Sequence, residues 1–153
     1  MTLDEDMRIL SGVELFRGFS REQLRLMAFG AETISLAAGR KLYVEGAPAD
    51  CAFVVARGEV ALYRTVAGSQ HIISVERRGS ILGQFALIAD GERLTGALAQ
   101  SDVQVIRLGR SMFLKVLEEY PDLAVKLHSR ITADLEAMLN RMAKVMGRLV
   151  EEE

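Results

Sequence analysis

A glycine, a short apolar run and, one loop later, an arginine mark the stretch of this chain whose residue types could do chemistry. Gly83-Gln84-Phe85-Ala86-Leu87-Ile88 leads into the polar loop Ala89-Asp90-Gly91-Glu92 and then into Arg93, Leu94 and Thr95. The apolar run is too short for a free-standing helix but suits one buried turn. The first N–H groups of such a turn have no partner inside it and can hold an anion. Arg93 adds a permanent positive charge on a planar fork of donors. Together these groups have the makings of a phosphate cradle. A surface arginine after a tight turn fits the same spacing.

The elements that must position this stretch are mostly strands. Gly39, Gly46, Gly58, Gly68, Gly79 and Gly83 punctuate short β-rich runs. Strand character covers Ala31 to Leu36, Lys41 to Val44, Cys51 to Ala56, Val60 to Arg64, Ile72 to Val75, Thr95 to Ala99 and Val103 to Leu108. Gly58-Glu59 and Ala67-Gly68-Ser69 are the expected hairpin turns, and Val103, Val105 and Ile106 to Leu108 suggest one buried face. Many short strands at regular spacing argue for a sandwich or a jelly roll.

Helices flank the strands. Met7 to Leu15 has a mixed helical pattern, and Ser20 with Gln23 reads as a capping box before Leu24, Met27 and Ala28. A short helix is expected from Arg110-Ser111, ending at Tyr120-Pro121, because the residue before a proline disfavours helix. Proline is tolerated at the next helix start, and Leu123 to Leu149 reads as one long helix. Along it Ile131, Leu135, Met138, Met142, Val145 and Leu149 alternate spacings of four and three, a heptad seam. Such a seam covers the chain's own barrel or a partner helix. It runs further than a barrel was expected to reach, so a second copy of the chain is the favoured partner.

These marks resemble the cyclic-nucleotide-binding domain of the catabolite activator protein (cAMP receptor protein/Fnr-like) family. Leu15-Phe16, Phe19-Ser20, Gly39 with Leu42, Glu45-Gly46, Asp50, Phe53-Val54 and Gly58-Glu59-Val60 carry the resemblance, from about Leu15 to Leu139. It implies a mainly β fold with flanking helices: a double-stranded β-helix (jelly-roll) barrel over residues 1–120, then a long C-terminal dimerisation helix over 121–153. The family's phosphate-binding cassette falls on Gly83 to Arg93, which implies ligand contacts from Gly83, Gln84, Phe85, Ala86, Arg93, Leu94 and Thr95. Gln84 stands where the family has a glutamate for the ribose 2′-hydroxyl, and Leu94 where a small or hydroxyl residue is common. A neutral acceptor in place of a charged one should weaken binding roughly tenfold. Leu94 could point into the phosphate pocket or into the core. The long helix caps the base in the family, through residues matching Met138 and Leu139, which are apolar here and would give no base-specific hydrogen bond.

Composition bounds the rest. The chain has 153 residues, 50% hydrophobic and 26% charged, with a net charge of -2, which gives no electrostatic footprint for nucleic acid. No apolar run is long enough for a membrane span, and Met1 to Asp6 is acidic, unlike a secretory leader. The single Cys51 cannot form an internal disulfide, as expected of a cytoplasmic protein, and sits in an apolar run as an inert thiol would. His71 and His128 are too few and too far apart in sequence for a metal centre. No catalytic constellation is visible and no cofactor is required. The expected function is a stand-alone regulatory domain that binds cAMP or cGMP, dimerises through its last helix, and signals to a protein effector without binding DNA or membrane. The alternatives are a ligand-free dimeric scaffold, and the sensor part of a larger transcription regulator.

Overall fold

The computed structural model describes residues 2–152, with side chains described as far as 148. Two helices open the chain with the same device. In α1 (Leu3–Ser11) the Thr2 hydroxyl accepts from the Glu5 amide while the Glu5 carboxylate accepts from the Thr2 amide. In α2 (Arg21–Phe29) Ser20 and Gln23 repeat the exchange, the capping box expected from sequence. A 3-10 turn at Glu14–Phe16 joins them and buries Leu15 and Phe16.

Eight strands follow in two antiparallel sheets. The first has the order β1 (Glu32–Leu36), β8 (Val103–Gly109), β3 (Cys51–Arg57), β6 (Ile81–Leu82). The second has the order β2 (Lys41–Tyr43), β7 (Gly96–Ala99), β4 (Val60–Val66), β5 (Ser69–Glu76). This is the jelly-roll arrangement implied by the resemblance. The two-residue β6 was not visible in the sequence.

The six consecutive buried residues that open β3 follow from its place between two cores. Cys51, Phe53 and Val55 point between the sheets, against Val60, Leu62, Ala97 and Val105. Ala52, Val54 and Ala56 point outward, into a core shared with the helices. The same division corrects the expectation of one buried face on β8: Val103 and Val105 face the other sheet, while Ile106 and Leu108 face the helices.

One expected hairpin forms and one does not. Ala67 and Gly68 both have positive φ, 52° and 82°, and close a two-residue turn between Val66 and Ser69. Gly58, in contrast, carries the chain from β3 in the first sheet to β4 in the second. Its φ is 84°, and a Cβ there would strike the Asp102 carbonyl, so this corner needs a glycine for crossing and not for a hairpin.

After β8, α3 (Arg110–Glu119) ends at Tyr120, and Pro121 opens α4 (Pro121–Glu152). Leu123, Leu127 and Ile131 enter the core shared by α1, α2, α3 and the first sheet. The boundary at 120 therefore falls between two helices and not between two cores. Further along, Met138 packs against the core between the sheets, and Met142 is only 4% exposed. The seam expected to meet a partner helix thus faces its own chain: Ile131 and Met142 are buried, and Leu135, Met138 and Val145 are half-buried. The barrel reaches further along α4 than the sequence suggested because α4 also lies along β5. The Leu149 side chain lies outside the described residues.

Candidate functional site

The site is built where β6 runs out. Gly83 adopts φ 68° and ψ 28°, a left-handed conformation, and starts a 3-10 turn over Gln84–Leu87. A side chain at position 83 would be strained by that conformation and would also collide with the Arg93 guanidinium. Ala86 and Leu87 are buried and anchor the turn. The Ala86 amide already donates to the Gly83 carbonyl at 3.0 Å, so the amides free of partners inside the turn are those of Gln84 and Phe85. The apolar run is therefore one turn, as expected, although Phe85 stays partly exposed.

Arg93 is fixed from both sides of its backbone. Its amide donates to the Ala47 carbonyl at 2.8 Å, and its carbonyl accepts from the Gly46 amide at 2.9 Å. The side chain turns inward and is only 7% exposed. Its guanidinium carbon lies 4.4 Å from the Tyr43 ring centroid and 5.6 Å from that of Phe53. Nη2 donates to Cys51 Sγ at 3.3 Å, whereas Nη1 is buried with no hydrogen-bond partner among the described residues. No aspartate or glutamate pairs with Arg93 among the described residues. Tyr43 does not supply the missing charge: burial pushes its phenol up to about 12, against the opposing pull of Arg93, so it stays neutral. A buried cation left unpaired costs several kcal/mol. The arrangement can hold an anion and has none of its own.

The cavity that Arg93 lines encloses about 60 Å³ and opens into a cleft of about 600 Å³ once its solvent-filled mouth is counted. All seven cassette residues line it: Gly83, Gln84, Phe85, Ala86, Arg93, Leu94 and Thr95. Leu94 is 41% exposed and lines the cavity, so it does not point into the core. From α4 come Ile131, Asp134, Leu135 and Met138, so three residues of the expected dimer seam are cavity wall. Leu139, expected to cap a base, is exposed and does not line the cavity.

Sequence reasoning missed two groups here. Tyr43, Cys51 and Phe53 surround Arg93, but they lie far from it in sequence and read as ordinary strand residues. Cys51 is buried as expected, yet it contacts the Arg93 guanidinium. Asp134 was also missed, although it sits between Ile131 and Met138 at helical spacing and so on the apolar face. Its carboxylate accepts from Gln84 Nε2 at 3.1 Å.

The comparisons with known proteins agree with this geometry. A family model described as "Cyclic nucleotide-binding domain" matches residues 33–120. The cyclic AMP receptor protein of Thermus thermophilus is 27% identical over 156 residues, covering 94% of this chain and 72% of that protein. A cAMP-dependent protein kinase regulatory subunit of Aspergillus fumigatus is 31% identical over 115 residues, 74% of this chain but only 27% of that subunit. Among solved structures, a cyclic nucleotide-binding-like protein from Brucella abortus shares 48% identity at a TM-score of 0.69, covering 75% of this chain and 99% of that one.

Proposed function

Because the chain belongs to the cyclic nucleotide-binding domain family, we propose that it is a regulatory domain that binds cAMP or cGMP at Arg93 and the Gly83 turn and relays binding through α4. The observation that carries this reading is the buried Arg93 guanidinium, whose Nη1 has no partner among the described residues. A cyclic phosphate placed there turns an uncompensated charge into a charge-assisted contact. The names of the Thermus and Aspergillus relatives support a cyclic nucleotide as that anion. No catalytic step is assigned to the site.

Binding has to open the cavity. The enclosed space of about 60 Å³ is far below the roughly 300–1,000 Å³ of small-molecule sites. Opening it means moving the wall made by Ile131, Leu135 and Met138, the turn at Gln84, or both. A ligand that favours the displaced helix shifts the population toward it, and a protein effector reads the new position. The domain acts as a homodimer in this proposal. The seam facing the barrel is occupied, so the contact uses the flank of α4 beside it, where Val125, Thr132 and Leu139 recur every seven residues and are exposed. No helix among the described residues is long and apolar enough to cross a membrane, and the proposed setting is the cytoplasm.

The test is a thermal-melt series with cAMP and cGMP. Ligand at a hundredfold over its dissociation constant stabilises the native state by about 2.7 kcal/mol, a shift of several degrees. The expected result is a saturable shift with at least one nucleotide that is lost in Arg93→Ala. A chain unmoved by both nucleotides would instead be a ligand-free scaffold.

A further inference from the structure

We infer that Asp134, on α4, supplies the ribose-selective acceptor of this site, with Gln84 positioning it. The inference rests on the cyclic-nucleotide reading above and adds which group discriminates among such ligands. Two observations support it. Asp134 lines the same cavity as Arg93, so a negative group and an unpaired positive group enter the space from different elements. Asp134 Oδ2 also accepts from Gln84 Nε2 at 3.1 Å, which leaves its other oxygen without a hydrogen bond to the described residues.

An ionised carboxylate only accepts, so its partner on a ligand must be an O–H or N–H donor. An anion drawn to Arg93 is at the same time kept off Asp134, which orients a ligand that is anionic at one end and donating at the other. Position in the cavity selects the donor. Gln84 directly follows Gly83, the residue against which the Arg93 guanidinium lies, so the carboxylate it holds is within one side chain of the phosphate cradle. In a 3′,5′-cyclic nucleotide the sugar is fused to the phosphate ring and keeps one free donor, its 2′-hydroxyl. The base lies further away. Asp134 thereby restores from another helix the negative acceptor that position 84, being glutamine, lacks. The Gln84 amide cannot provide that charge, but it fixes the carboxylate in place.

Titration of the full chain with cAMP and 2′-deoxy-cAMP tests this, using the wild type, Asp134→Asn and Asp134→Ala. The wild type should bind the deoxy analogue about tenfold more weakly, the difference between a charged and a neutral hydrogen bond. Asp134→Asn can still accept from Gln84, so it should keep the melting temperature while losing roughly tenfold for cAMP and nothing for the deoxy analogue. Equal binding of the two nucleotides by the wild type would overturn the inference. So would discrimination retained in Asp134→Asn. A tighter grip on both ligands in Asp134→Ala would make the Gln84–Asp134 contact a tether on α4 and also overturn it. Binding of both ligands with Arg93-dependence but no such pattern leaves the nucleotide reading standing and this inference fallen. Binding of neither by the wild type removes both.

Discussion

Arg93 is held where its charge costs the protein stability, and in the proposed function that charge gains it a ligand. The tyrosine and phenylalanine rings and the Cys51 thiol soften that cost without matching it, since none carries a formal negative charge in contact with Nη1. Replacing even a buried ion pair with apolar residues of similar volume is often neutral or stabilising, by about 1–4 kcal/mol, and Arg93 lacks an acidic partner among the described residues. Arg93→Met should accordingly raise the midpoint of urea denaturation measured without nucleotide, and abolish any nucleotide-induced shift. An unfolding free energy lowered by several kcal/mol would mean that the guanidinium is a structural brace and not a binding group. Gly83→Ala should fail in the opposite way. Left-handed backbone costs a residue with a Cβ about 1–2 kcal/mol, and the added methyl also displaces Arg93. Both stability and nucleotide response should fall together in that variant, read by the same denaturation and titration.

Among the elements, the β4–β5 hairpin carries a residue that its geometry does not favour. Ala67 occupies the first left-handed position of a turn that prefers asparagine followed by glycine. Ala67→Asn should raise stability by about 0.5–1 kcal/mol in thermal melts, with the site untouched. Helix α1 has a comparable flaw. Asp6 is buried and its Oδ1 has no partner among the described residues, so burial raises its carboxyl above the ordinary range. A carboxyl whose folded pKa lies above its unfolded one destabilises the native state once pH exceeds the unfolded value, and the penalty is full above the folded value. Asp6→Asn should therefore melt higher than the wild type at neutral pH, with the advantage shrinking as pH falls through the carboxylate range. These elements also show what sequence can reveal. Capping boxes at Thr2 and Ser20 are local, with both partners three residues apart, and Ser20 was legible for that reason. The strand at Cys51 was legible as an apolar run, but its two buried faces were not, because an unbroken run carries no period to say what lies on either side. Likewise the spacing of Ile131, Leu135, Met138 and Met142 identified a covered stripe on α4 but not its cover. In the site, Gly83 and Arg93 could be read from one short stretch, whereas Tyr43, Cys51, Phe53 and Asp134 reach it only through the folding of distant segments. A single aspartate on a long helix reads as a solvated residue until the turn at Gln84 is placed against it.

At the scale of the molecule, the question is what holds α4 down and what it meets on its other side. Leu127 and Ile131 are fully buried and Met142 nearly so. Full burial of such side chains contributes roughly 1.5–3 kcal/mol each, whereas the Gln84–Asp134 hydrogen bond adds about 1.5–3 at most because one partner is charged. Apolar contact with its own barrel therefore dominates the seating of α4, and Met142→Ala should cost about 2–5 kcal/mol in a denaturation curve that does not change with protein concentration. The exposed flank is a separate matter: Val125 is 74% exposed and Leu139 46%, two residues about four turns apart on a weaker stripe that the barrel leaves open. If the domain pairs through that face, sedimentation should give a dimer for the wild type, and Val125→Glu with Leu139→Glu a monomer of unchanged melting temperature at dilution. The same double variant should still bind nucleotide, because neither residue lines the cavity. A wild type that sediments as a monomer at every concentration would end the dimer proposal. It would also confine signalling to a displaced α4 presented directly to another protein, because a single copy has no second helix to carry the movement.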